Sequence, residues 1–322
     1  MNESSRALRI AAVPAMLVAG ALVAVQSQVN GRLATELGTG SRAGFGAAAI
    51  SFGTGLVLVA AITGLLPSGR AGVGRFAQGL RSGRLRPLEM IGGAFGAFLV
   101  ATQGLTVGAI GVALFSISVT AGQSASALVV DHVGLGPSGH QPWSVPRLIA
   151  AAFAVTAVIL AAGERLAVSF GWQTAVFALL PLLAGAGTAV QQALNGRLAA
   201  HGGPWATTLN NFTVGTIVLL ACFGVSFLGG GRLTGLPHQW WLYGGGAIGV
   251  GFIWLAAVLV KVHGVLVLGL SMIAGNVIGA ELIELVSANA RIGLVGIVAG
   301  GLTVLGIGIA LFARPSSGVS HI

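Results

Sequence analysis

Apolar stretches of about 20 residues recur from residue 10 to residue 313, and they decide what this chain can fold into. A stretch of that length spans the hydrocarbon core of a bilayer as an α-helix. Of the 322 residues, 55% are hydrophobic and only 7% are charged, whereas soluble domains carry roughly 25% charged residues. The sequence therefore predicts an integral membrane protein in a lipid bilayer and excludes a water-soluble globule.

The apolar runs, bounded by glycine, proline, arginine or polar clusters, predict ten transmembrane helices joined by short loops. They cover residues 10–29, 43–66, 88–108, 110–131 and 146–163 in the first half, and 172–194, 205–228, 240–261, 264–286 and 291–313 in the second. The first run resembles a signal peptide. Because a similar segment recurs in mid-chain, we expect it to be a retained helix.

Comparison of the sequence with itself reveals an internal duplication. The segment QSQVNGRLA, with Gln26 and Asn30, recurs as QQALNGRLA, with Gln191 and Asn195, at an offset of 165 residues. Further matches follow in the same order: Phe52 and Gly55 with Phe212 and Gly215, then Ser118, Gly122, Gln123 and Asp131 with Ser271, Gly275, Asn276 and Glu284. The sequence thus predicts two repeats, residues 1–165 and 166–322.

Each predicted repeat has five spans, an odd number, so the second must enter the membrane from the opposite face. The expected fold class is an all-α polytopic membrane protein with ten helices in two inverted five-helix repeats, which can exchange conformations between two opposite openings. Glycine, at 53 residues, is unusually frequent. Small residues let membrane helices approach closely, so we expect tight packing.

The distribution of basic residues predicts that both termini lie in the cytoplasm. With that orientation the cytoplasmic side holds eleven of them: Arg6, Arg9, Arg70, Arg75, Arg81, Arg84, Arg86, Arg147, Arg197, Lys261 and Arg314. The other side holds five: Arg32, Arg42, Arg165, Arg232 and Arg291. We interpret the cluster between residues 67 and 87 as a topology signal and expect no nucleic-acid partner.

Two matched amides are the leading candidates for a substrate site. Gln123 and Asn276 lie near the middle of their predicted helices, close to the bilayer midplane, where transporter sites are found. Ser118 and Ser271 would add hydroxyls about one turn away. The alternative is an interhelical hydrogen bond, and the residues leave both readings open. Gln103 and Trp254 could also line a cavity, although packing is the simpler role.

The duplicated motif supplies four further candidates. Gln26 and Asn30 share a helix face, as do Gln191 and Asn195, and inversion would carry the two pairs toward opposite membrane faces. We interpret them as symmetric gates. For the asparagines there is an alternative, because Asn followed by Gly is typical of a helix C-terminus.

Glu281 is the candidate for proton coupling. It lies within the ninth predicted span, one turn from Glu284, and a buried carboxyl with a like-charged neighbour favours the protonated form. The matched position in the first repeat is Leu128, so this carboxyl has no counterpart there, which argues against a role in proton coupling. We expect Asp131 and Glu284 to lie at the water interface. No nucleophile, metal-ligand or cofactor-binding pattern is evident, so we expect no enzyme, no metal and no cofactor.

The ten spans and paired QxxxNGRLA segments, followed by FGTG and GQSASALVVDHVG, resemble the drug/metabolite transporter (DMT) superfamily, and within it the YdcZ-like branch of inner-membrane exporters. The resemblance implies a multi-pass carrier of the bacterial inner membrane with a central cavity between repeats. Together with the residues it favours a secondary transporter that exports a small organic solute by alternating access, with protons as the candidate coupling ion. A passive facilitator and a non-transporting membrane partner are the alternatives, and monomer and homodimer stay open.

Overall fold

The computed structural model describes residues 3–137, 139–145 and 172–286, with the single positions 148, 149, 152, 156 and 305. Over these ranges the chain forms seven α-helices: α1 (Glu3–Leu37), α2 (Gly40–Leu65), α3 (Pro67–Arg81), α4 (Gly92–His132), α5 (Trp172–Gly202), α6 (Pro204–Ser226) and α7 (Gly245–Val286). Two short strands, β1 (Gly38–Thr39) and β2 (Gly231–Leu233), pair antiparallel.

Five segments of the described chain are long and apolar enough to cross a membrane: Ala12–Leu37, Gly40–Leu65, Pro87–Ile110, Pro204–Ser226 and Trp240–Lys261. A shorter apolar segment, Val267–Ala280, follows the last of them. The protein is therefore an all-α membrane protein, as its composition predicts. The predicted spans 146–163 and 291–313, and the boundary between the repeats, lie almost wholly outside the described residues.

The helices that carry the duplicated motif run further than predicted. α1 continues through Asn30 and Gly31 to Leu37, and α5 continues through Asn195 and Gly196 to Gly202. Neither glycine has a positive φ, so the helix-stop interpretation is wrong. The reason is tertiary: both asparagines are buried and hydrogen-bonded to side chains of other helices, which favours a continuous helix.

α4 and α7 are sharply bent. Each is one continuous helix of about 40 residues, although two separate spans were predicted over each. Leu99 and Val119 of α4 nevertheless line the same small cavity, as do Phe252 and Met272 of α7. Residues 20 apart in a straight helix would be separated by about 30 Å. A turn that stays helical keeps backbone groups paired where lipid offers no partners, which explains why no loop intervenes.

α3 is a helix that the sequence interpretation missed. Pro67 occupies its first turn, and its arginines cap two neighbouring helices. Arg70 Nη1 donates to Gly64 O at 2.6 Å at the end of α2, and Arg75 Nε donates to His201 O at 2.9 Å at the end of α5. Cations at helix C-termini stabilise the exposed carbonyls. We call this part of the molecule, residues 65–91 and 197–205, the arginine end.

α2 and α6, which occupy matched positions in the two halves, pack antiparallel. Phe52 and Phe212 stack with ring centroids 4.9 Å apart, and each ring also covers a glycine of the other helix, Gly215 and Gly55. Arg42, at the start of α2, donates to the carbonyls of Phe227 and Gly229 beyond the end of α6. The paired strands lie here too, and we call residues 37–42 and 226–240 the strand end.

The closest helix packing joins one half of the chain to the other. α1 packs on α7, where Gly275 meets the backbone of Leu17, and α4 packs on α5, where Gly122 meets the backbone of Leu182. A side chain at either glycine would overlap the facing carbonyl oxygen. This confirms the tight packing that the glycine content predicts.

Candidate functional site

A small cavity lies where α1, α4, α5 and α7 meet. It has a volume of about 10 Å³, which is room for about one water molecule. Four pairs of matched positions from the two halves line it, together with Ile273: Val23 and Thr188, Leu99 and Phe252, Val119 and Met272, and Gln123 and Asn276. The two halves therefore contribute matched positions to the cavity lining. Each pair combines two different residue types.

Gln123 and Asn276, the leading sequence candidates, both line this cavity. Their side chains are 5% and 6% exposed. Gln123 Nε2 and Asn276 Oδ1 have no hydrogen-bond partner among the described residues. Buried polar atoms are nearly always paired, so the two unpaired amide atoms make this cavity the candidate site.

A first polar contact lies between the cavity and the strand end. We call it the strand-end seam, and it consists of Gln26, Asn30 and Gln103 with Gly245 and Gly249. Along α1, Gln26 and Asn30 follow Val23 toward this end. Gln26 Nε2 donates to Gly245 O at 2.9 Å, and Asn30 Nδ2 donates to Gln103 Oε1 at 2.8 Å. Gln26 packs on Gly249, so the seam joins α1 to α4 and α7.

Between the cavity and the arginine end lies the matching contact, the arginine-end seam. Gln191 and Asn195 follow Thr188 along α5 and pack on Gly96 and Gly92 of α4. Gln191 Nε2 donates to Asn211 Oδ1 at 2.9 Å, and Asn211 Nδ2 donates to Asn195 Oδ1 at 2.6 Å. The two seams repeat one arrangement, an amide pair on a glycine pair, and both are packed in this structure.

The other predicted substrate residues lie away from the cavity lining. Gln103 belongs to the strand-end seam, where its Nε2 donates to Ser27 Oγ at 3.0 Å. The Trp254 ring packs on Trp205 at 5.3 Å. Ser118 and Ser271 are buried one turn from the amides but outside the set that lines the cavity.

One matched carboxylate, Asp131, is placed differently from the sequence interpretation. Asp131 is buried, and its Oδ1 accepts a hydrogen bond from the backbone N–H of Val265 at 3.4 Å. It therefore supports the bend of α7 instead of meeting water. The side chains of Glu281 and Glu284 lie outside the described residues.

The apolar and hydroxyl residues of the lining were missed by the sequence interpretation. Phe252, Met272 and Thr188 are residue types that normally indicate core packing. Each lies one repeat offset from another lining residue, namely Leu99, Val119 and Val23 respectively, but this relation becomes informative only once the lining is known.

Comparison with known protein families identifies the chain. A family model described as "Putative inner membrane exporter, YdcZ" matches residues 11–160 and 176–311. The chain belongs to this family. The two matched segments have similar lengths and lie one in each half, and the YdcZ family assignment makes the protein a multi-pass protein of the inner membrane.

Comparison with solved structures supports the fold. A crystal structure of a protein is similar over 94% of this chain and 96% of that chain, with a TM-score of 0.61 and 16% sequence identity. At that identity the likeness concerns the fold alone. No curated protein matches the sequence.

Proposed function

We propose that this protein is a secondary transporter that moves a small organic solute through the cavity between its halves by alternating access. The observation that carries the proposal is the placement of that cavity between two equivalent seams. Opening one seam while the other stays packed would admit water and solute from one side only. Both seams are packed and the cavity has room for about one water molecule, which is consistent with the closed intermediate that such a cycle requires.

Inverted repeats are part of this proposal. In favour of them, α2 and α6, matched in sequence, pack antiparallel, and the contacts between halves are reciprocal: Gln26 on Gly249, and Gln191 on Gly96. Reciprocal contacts of this kind are the mark of a two-fold relationship. The bends of α4 and α7 support two crossings for each, which fits ten spans in all.

The proposed orientation has both termini in the cytoplasm. Among the described residues the arginine end and its surroundings carry Arg70, Arg75, Arg81, Arg84, Arg86, Arg197 and Lys261. The strand end and its surroundings carry Arg32, Arg42 and Arg232. An excess of basic residues is typical of the cytoplasmic side. The family description supports outward transport.

Labelling of the cavity from each side tests the carrier proposal. In a Cys222→Ser background, which has no other cysteine, Gln123→Cys and Asn276→Cys should each react with a membrane-impermeant maleimide added to either face of sealed vesicles. A cysteine at Thr216, buried on α6 outside the cavity lining, is the control. Protection of both cavity cysteines from both faces would contradict alternating access and favour the non-transporting membrane partner.

Proton coupling through Glu281 is a separate element of the proposal. If this carboxyl titrates during the cycle, the share of Gln123→Cys labelled from each face should change with pH, and Glu281→Gln should abolish the change. Glu36→Gln, at an exposed carboxylate near the end of α1, is the matched control. A pH-independent labelling ratio in the parent protein would instead favour the passive facilitator.

A further inference from the structure

The two cavity amides offer complementary hydrogen-bonding atoms. Within the described part of the chain, the buried donor Nε2 of Gln123 and the buried acceptor Oδ1 of Asn276 have no hydrogen-bond partner. Both side chains line the same space of about 10 Å³. Unpaired polar atoms are costly where the surroundings are apolar, so a ligand that pairs both atoms gains most.

The rest of the lining selects against charge. None of the described residues around the cavity is ionisable: Val23, Leu99, Val119 and Ile273 are aliphatic, and Phe252 and Met272 add an aromatic ring and a thioether. The hydroxyl of Thr188 donates to its own helix, to Ala184 O at 3.0 Å. An ion would lose its hydration here without a countercharge.

From these contacts we infer that the cavity takes a neutral solute that carries a carbonyl and an N–H side by side, as in a lactam, a urea or a secondary amide. The carbonyl accepts from Gln123 Nε2, and the N–H donates to Asn276 Oδ1. The ring of Phe252 and the side chain of Met272 cover the planar amide. This inference rests on the proposed carrier function, because the cavity must widen to admit such a molecule.

Three six-membered rings, two neutral and one cationic, separate the contributions of the carbonyl, the N–H and the charge. Valerolactam has both groups, cyclohexanone has the carbonyl alone, and piperidine is a cation at neutral pH. We expect valerolactam to bind the purified full-length protein in nanodiscs about tenfold more tightly than cyclohexanone, the value of one hydrogen bond, and piperidine not to bind. Binding is measured as the concentration dependence of the unfolding temperature.

Shape-matched variants assign the effect to the two amides. Asn276→Leu should weaken valerolactam binding about tenfold and leave valerolactam and cyclohexanone nearly equal, because only valerolactam has an N–H for Asn276. Gln123→Met should weaken both rings about tenfold and keep the difference between them, because both carry the carbonyl that Gln123 binds. Thr216→Val, which alters a buried hydroxyl outside the cavity lining, should not change the discrimination. Each variant is compared only after its unfolding temperature without ligand is shown to match the parent.

Several outcomes would overturn the inference. Equal binding of valerolactam and cyclohexanone by the parent protein removes the role of Asn276 as acceptor, and unchanged affinity of both rings in Gln123→Met removes the role of Gln123 as donor. Tighter binding of piperidine removes the selection for neutral solutes. If no ring binds while the cavity cysteines are labelled from both faces, the carrier proposal stands and the amide class fails. Cysteines protected from both faces would instead remove the carrier proposal itself.

Discussion

The amide pairs of the two seams are held by different partner residues, and Asn211 is the partner in the arginine-end seam. It links Gln191 and Asn195 in the arginine-end seam, accepting from one and donating to the other. The matched position in the first half is Ser51, and there Gln103 of α4 pairs with Asn30 instead. The motif amides have stayed the same, while their partner has moved to another helix.

Asn211→Leu should therefore destabilise the protein. The substitution leaves Gln191 Nε2 and Asn195 Oδ1 buried without this partner, and we expect the free energy of unfolding to fall by about 1–3 kcal/mol. Denaturant titration in detergent micelles measures the change. Thr213→Val, at an exposed position on the same helix, is the control. Equal stability of the two variants would contradict the network.

The sequence predicts the central amides but not their apolar neighbours. Gln123 and Asn276 stand out because polar residues in apolar segments need a reason, and their match across the repeats placed them together. Phe252 and Met272 give no such signal, because apolar residues suit lipid, core and cavity equally. The predicted end of the first helix near Asn30 was wrong. An Asn-Gly pair is typical of a helix end, but here the buried hydrogen bond of Asn30 holds the helix in place.

At the scale of whole helices, contact between the halves depends on glycines placed against backbone. Gly275 of α7 faces Leu17 of α1, and Gly122 of α4 faces Leu182 of α5 at the matched position. No side chain lies between the helices at these points, so the axes approach as closely as two backbones allow. Displacement at either point would change the geometry of the cavity lining nearby.

Gly275→Ala and Gly122→Ala should each lower stability by about 1–3 kcal/mol, because the added methyl group must push two backbones apart. Because the positions are matched, we expect effects of similar size. Gly53→Ala, where no atom lies within 4 Å of the added carbon, should be neutral or slightly stabilising. Thermal unfolding of the three purified variants provides the comparison, and equal losses would refute the role of close approach.

Most helices follow from the apolar runs, whereas α3 and the helical continuity of α4 and α7 do not. α3 has few apolar residues and four glycines, so its helix depends on tertiary contacts such as that of Phe76 with Gly202 at the end of α5. The predicted spans do divide close to both bends, at Ala109 and near His263, but the structure has continuous helix there. Apolar runs indicate where a chain crosses the membrane and not whether the connection between two crossings stays helical.

For the molecule as a whole, the two ends differ in charge, and this predicts its orientation. In a Cys222→Ser background, Ser82→Cys at the arginine end should resist an impermeant thiol reagent in intact cells, whereas Gln239→Cys at the strand end should react. Both positions are exposed. The reverse pattern would invert the proposed topology and with it the meaning of the basic residues.

The equivalence of the two seams leads to a mirrored prediction. Gly249→Ala adds a methyl group against Gln26, and Gly96→Ala adds one against Gln191. Each should hold its own seam apart, so Gln123→Cys should become several-fold more reactive from the strand end in the first variant and from the arginine end in the second. Gly64→Ala, in open space, is the control. Increased labelling from the same face in both variants would contradict the model of two gates.

Among the described helices, the closest packing, of α1 on α7 and of α4 on α5, joins one half of the chain to the other. At Gly122 and Gly275 the backbone of one half is covered by the backbone of the other, so the two halves are interlocked. A fragment of residues 1–165 made alone would expose bare backbone to lipid, while the same fragment made beside residues 166–322 would find its missing surface. The single polypeptide thus guarantees one-to-one assembly of unlike halves, which frees each lining pair to diverge.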